Sequence, residues 1–205
     1  MSGPAQRGLL RGLVITAVLA VLALGAYVVF ASLIPRSSQD GGSGQVTIGG
    51  PFELVDHEGR TVTDRDFAGR LMLIYFGFTN CPDICPTGLQ TMAIAMDELG
   101  AAGEKVQPLL ITVDPERDTP AVMKEYVQAF HERLVGLTGT PEQIAKVARE
   151  YRVYYQKVAL KDSSLGYSVD HSGFIYLMDG EGKYLTHFRH DTTPEQMAER
   201  IKSKL

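Results

Sequence analysis

The chain has 205 residues, 44% of them hydrophobic and 21% charged, which fits one globular domain with some chain to spare and excludes a fibre or a largely disordered polypeptide. Beyond residue 45, removing Arg7, Arg11 and Arg36 from 20 basic residues and Asp40 from 24 acidic ones leaves 17 against 23, a net charge of about −6. That balance excludes a nucleic-acid-binding protein, which needs a basic face, and suits a cationic ligand or a basic partner patch.

Residues 13–33 carry no charged side chain. As a helix they would rise about 31 Å, matching a bilayer core of about 30 Å. A cleaved signal has a shorter apolar region, about 7–15 residues, and a small-residue cleavage site, which Phe30-Ala31-Ser32 does not provide. The expectation is a cytoplasmic tail over 1–12, a transmembrane anchor over 13–34 and a flexible Gly/Ser-rich linker over 35–45. Arg7 and Arg11 keep the tail inside, so the protein is expected to be single-pass in the inner (cytoplasmic) membrane, with residues 46–205 in the periplasm.

The turn-forming residues 56–60 between Phe52 and Val62 predict a short hairpin. The apolar run LMLIYF at 71–76 predicts a strand buried on both faces. Leu89, Met92, Ala93, Met96 and Leu99 share one helical face, which Gly100 can terminate. A second strand is expected over 106–113. Thr119-Pro120 then opens a helix to Phe130, with Val122, Tyr126, Val127 and Phe130 inward. Thr140-Pro141-Glu142-Gln143 caps another helix, reaching about Tyr151. Residues 172–178 and 183–188 alternate as strands around a turn at 179–182, and Thr193-Pro194 opens the last helix. Strands alternating with helices, plus a late hairpin, predict an α/β sandwich with helices on both sheet faces.

The only two cysteines, Cys81 and Cys85, fall in the segment GFTNCPDICPTG between the first buried strand and its helix. A pair so placed does chemistry rather than scaffolding; in an oxidising compartment it closes into a disulfide unless reduced or metallated. Pro82 and Pro86 each disfavour helical backbone at the preceding cysteine. Cys85 is therefore expected at the helix N-cap with Pro86 at N1, where the helix terminus favours thiolate. Thioredoxin-type redox enzymes favour two intervening residues, and here there are three. Structural zinc requires four ligands, and no further cysteine exists. Two thiolates and an imidazole suit copper, particularly Cu(I). Among the histidines, His171 stands out because it precedes the strand at 174–178; His57, His131, His187 and His190 read as surface residues. From residues alone the choice between redox chemistry and metal binding stays open, and so does the third ligand.

Three separated motifs narrow it. FTNCPDICP at 78–86, VDPERDTP at 113–120 and VDHS at 169–172, with Tyr176 and Leu177, resemble the SCO/SenC family, over about residues 46–205. The resemblance implies a thioredoxin-like three-layer sandwich and a copper chaperone that helps assemble the binuclear copper centre of cytochrome c oxidase. It implies Cys81, Cys85 and His171 as copper ligands, for Cu(I), Cu(II) or both. Its implied partners are the copper-containing oxidase subunit, a periplasmic copper donor and a thiol reductant. Asp170 is a candidate for orienting the imidazole and Asp83 for adding negative potential near the metal; residues 114–120 read as a structural turn and helix cap. The alternative is a thiol–disulfide oxidoreductase acting on the same oxidase subunit through the redox-active pair Cys81 and Cys85. The absence of tryptophan, and of any proline between Pro141 and Pro194, counts against it. A thiol peroxidase is disfavoured because Phe78 stands where peroxiredoxins place a threonine.

Overall fold

Two consecutive seven-residue strands, β3 (Leu71–Gly77) and β4 (Val106–Thr112), are buried at every position. Successive strand residues face opposite sides of a sheet, so full burial means that both faces are covered there. These strands form the centre of a seven-stranded sheet in the computed structural model, which describes residues 47–160 and 166–205 together with Gly25. The sheet order is β2-β1-β5-β4-β3-β8-β9, using β1 (Glu53–Asp56), β2 (Thr61–Thr63), β5 (Val135–Thr138), β8 (Ile175–Met178) and β9 (Tyr184–Phe188). β3, β4 and β5 run parallel, while β1 and β8 join them antiparallel. Apart from Gly25, the described residues lie in the compact unit Val46–Leu205.

Helix α1 (Ile84–Leu99) follows β3 and buries Leu89, Met92, Ala93, Met96 and Leu99, the predicted face. It packs against α4 (Pro194–Lys202). α2 (Pro120–Gln128) packs on β5, and α3 (Pro141–Glu150) reaches β1. All three Thr-Pro starts hold: Thr119, Thr140 and Thr193 each accept a backbone N–H from the helix they cap, with proline at the first position.

Several expectations need correction. Val122 is exposed; Met123 and Val127 form the inward face of α2, and Tyr126 and Phe130 are only half-buried. His57 and His131 are not free surface residues. His57 Nδ1 accepts the N–H of Gly136 at 3.0 Å, and His131 Nδ1 that of Arg133 at 3.1 Å. The largest omission is a second, two-stranded sheet, β6 (Tyr155–Ala159) with β7 (Tyr167–His171). His171 ends that hairpin rather than lying in a loop. Among the described residues no helix is long and apolar enough to cross a membrane, and the expected tail, anchor and linker at 1–45 fall, apart from Gly25, outside the described residues.

Candidate metal centre

Three segments meet at the carboxyl end of β3. The first is the loop 78–83, closed by a bond from the Cys81 N–H to the Phe78 carbonyl at 3.2 Å. The second is the first turn of α1, where the structure departs from expectation. Asp83, not Cys85, is the N-cap, so Cys85 sits inside the first turn. Aspartate is the better N-cap residue type, although here its carboxylate makes no capping bond; its carbonyl accepts from the Thr87 N–H and hydroxyl at 3.3 and 3.0 Å. The shift turns the Cys85 thiol inward to zero exposure, while Cys81 stays partly open. The third segment is the end of β7, which carries His171.

Both thiols are free, and the sulfurs of Cys81 and Cys85 and a ring nitrogen of His171 all lie within 4.8 Å of one another. The His171 Nε2 is 3.2 Å from Cys85 Sγ. Its Nδ1 is 3.1 Å from the Ser172 carbonyl, which can only accept. Nδ1 therefore carries the ring proton, and Nε2 offers a lone pair towards the sulfurs. The ring stands edge-on to Phe78 and Tyr75, at centroid distances of 5.7 and 6.2 Å. Both aromatics are buried, so the imidazole is fixed by packing as well as by its hydrogen bond.

The two cysteines divide their protons unequally. Cys81 falls to about 4, chiefly because Cys85 donates to it, with the backbone N–H groups of Asp83 and Cys85 adding to the effect. Cys85 is pushed up, first by the adjacent Cys81 sulfur and then by burial. The site thus holds one thiolate near the surface and one thiol beneath it. Gly77 makes this depth possible, since a Cβ there would come 2.9 Å from Cys85 Sγ.

A cleft of about 330 Å³ is lined by Cys81 and runs between Pro82–Ile84 on one side and Ser168–His171 on the other. Asp83 and Asp170 are exposed at its mouth. Asp170 does not orient the imidazole by a hydrogen bond; the Ser172 carbonyl does that. His187 and His190 are exposed, and His187 bonds to the Tyr184 hydroxyl at 2.5 Å. The residues that sequence reasoning missed are Gly77, Ser172 and the polar pair Thr79–Asp118. The last was signalled by more acidic residues in the 113–120 motif than a turn and a cap require.

A mixed α/β sheet presenting two thiols at a helix start, with an imidazole facing them, defines a thioredoxin-like domain adapted to hold a soft ligand. The profile of the SCO1/SenC family matches residues 40–205, and the chain belongs to that family. The SCO2-like protein of Rickettsia felis is 46% identical over 157 residues, covering 77% of each chain. Bradyrhizobium japonicum ScoI, solved with copper bound, is 47% identical, with a TM-score of 0.72 over 77% of this chain and 99% of that one. Yeast Sco1, also solved with copper bound, is 40% identical, with a TM-score of 0.71 over 77% of this chain and 87% of that one.

Proposed function

We propose that this protein binds copper through Cys81, Cys85 and His171 and delivers it to the binuclear copper centre of cytochrome c oxidase. The observation that carries the reading is the convergence of two sulfurs and a ring nitrogen of His171 within 4.8 Å. Soft thiolates with one imidazole suit copper, and a set of three leaves an ion accessible to an incoming ligand. The copper-bound relatives support the same cargo. A reductant keeps both cysteines as thiols; copper binds as Cys85 gives up its proton. An acceptor then takes the ion by exchanging ligands, beginning at the more open Cys81. Asp83 and Asp170 raise the negative potential at the cleft mouth. Residues 13–34 anchor the chain in the inner membrane, and the linker at 35–45 lets the domain reach a membrane-bound oxidase subunit from the periplasmic side.

Thiol reduction of that oxidase subunit is the weaker reading, because the imidazole occupies the space beside the buried sulfur. One experiment separates the two. The reduced chain is titrated with Cu(I) and Cu(II), then mixed, loaded or metal-free, with the apo copper domain of the oxidase, and both copper transfer and acceptor thiols are measured. Cys81→Ser and Cys85→Ser should abolish binding, and His171→Ala should weaken it sharply. Reduction of the acceptor by the metal-free dithiol, with bound copper never moving, would end the chaperone reading.

A further inference from the structure

The loop joining β4 to α2, residues 113–119, carries two fully buried aspartates, and each reaches a different half of the ligand set. Asp118 accepts from the Thr79 N–H at 3.1 Å and from the Thr79 hydroxyl at 2.6 Å; the Thr112 hydroxyl adds a third bond at 2.6 Å. Thr79 stands two residues before Cys81. Asp114 accepts from the Tyr167 hydroxyl at 2.7 Å and pairs with Arg117. Arg117 in turn donates to the Tyr167 carbonyl at 3.1 Å and lies 3.9 Å from the centre of its ring. Tyr167 begins the strand that His171 ends.

Helix capping explains neither aspartate, because Thr119 caps α2 with its own hydroxyl. A buried carboxylate is costly unless its hydrogen bonds are made. Here the partners include Thr79 and Tyr167, one from each of the two segments that bring the ligands together. Among the described residues the β6–β7 hairpin does not pair with the main sheet as a strand, so these side-chain bonds tie the cysteine loop and the histidine hairpin to one another through the 113–119 loop.

We propose that this loop is a strut that sets the spacing between the two sulfurs and the imidazole. Asp118 positions Cys81 through Thr79; Asp114 and Arg117 position His171 through Tyr167. These are positioning residues, not ligands, and the inference rests on Cys81, Cys85 and His171 forming the copper site.

The test uses the full-length reduced chain with Tyr167→Phe, which removes one hydroxyl and keeps the ring on Arg117. Asp118→Asn is the second variant, and each is also made in a His171→Ala background. Two quantities are read: the nitrogen and proton magnetic-resonance signals of the His171 ring in metal-free protein, and Cu(I) affinity by competition with a chromophoric chelator. Tyr167→Phe should move the ring signals and weaken copper about tenfold, the scale expected when a ligand's support is removed. It should weaken copper no further once His171 is gone. Asp118→Asn should weaken copper in both backgrounds, since it acts on the cysteine side. The strut is refuted if Tyr167→Phe lowers the melting temperature while ring signals and affinity stay unchanged. It is refuted equally if the Tyr167→Phe effect on copper keeps its full size without His171. Should the chain bind no copper, the proposed function fails, and the metal-free ring signals still decide whether the strut exists.

Discussion

Replacing Gly77 by alanine tests the depth of the site with a single methyl group. Its backbone is an ordinary strand, so the cost is steric rather than conformational. The added Cβ would lie 2.9 Å from Cys85 Sγ, 3.3 Å from a ring carbon of Tyr75 and 3.4 Å from a methyl of Leu110. Restoring ordinary contact requires the sulfur to move by about half an ångström, in a core where β3 is buried at every position. Overpacking of this kind costs about 1–3 kcal/mol. Alanine in place of a strand glycine returns about 0.5–1 kcal/mol through the unfolded chain. The net loss, up to about 2.5 kcal/mol, lowers the melting temperature of a domain this size by up to about 10 °C. Copper affinity should fall about tenfold or more, because the sulfur leaves the position that the imidazole faces. Thermal melts of the reduced, metal-free chain give the first quantity, and chelator competition gives the second. A variant that melts with the parent and binds copper equally well would refute the claim that Gly77 seats Cys85.

The divided protonation of the cysteines has two measurable consequences. The folded-state value of Cys81 lies far below that of an unfolded thiol, so its contribution is present above the unfolded thiol range and is lost as pH falls towards about 4. Cys85 keeps its proton in both states across that interval. The denaturant midpoint of the reduced chain should therefore climb with pH between mildly acidic and neutral solution, and the climb should shrink in Cys81→Ser; equal slopes would count against the assignment. Copper binding near neutral pH should release close to one proton, from Cys85, as measured by calorimetry in buffers of different ionisation enthalpy; a release of two would mean that Cys81 is also protonated. Far from the site, Asp56→Ala removes the acceptor for the Glu58 and Arg60 N–H groups, each at 2.9 Å, and for the Arg60 guanidinium at 2.8 Å. Equilibrium unfolding should record a loss of about 1–3 kcal/mol with copper affinity unchanged.

The parts of the fold that announce themselves are those where one periodicity dominates. The run at 71–76 is apolar throughout because both of its faces are covered, and each Thr-Pro pair fixes a helix start by local chemistry alone. The β6–β7 hairpin has no such signal. All but the first residue of β6 are exposed, and Val169 is the one fully buried side chain of β7, so neither strand shows the alternation that a half-buried sheet imposes. That is why His171 could be singled out, by its position before the next strand and then by family resemblance, but not placed at the end of a hairpin. The cap at Asp83 rather than Cys85 escaped for a different reason. Proline constrains the residue before it, yet Pro86 is accommodated within the first helical turn, where its missing N–H has no intrahelical partner to lose.

A buried thiol beside a thiolate is a poor arrangement for holding two negative charges, and this bears on what the pair is for. With zero exposure, Cys85 can lose its proton only if positive charge arrives or if a covalent bond forms. Disulfide closure satisfies the second condition and needs nothing from His171. A cation satisfies the first, and it alone makes use of an imidazole whose Nδ1 is committed to the Ser172 carbonyl and whose Nε2 lone pair faces Cys85 Sγ at 3.2 Å. The ring is held by two buried aromatics and a backbone acceptor, an investment of packing that dithiol exchange would leave idle. The imidazole, more than the cysteines, is what separates a metal carrier from a reductase built on the same sheet.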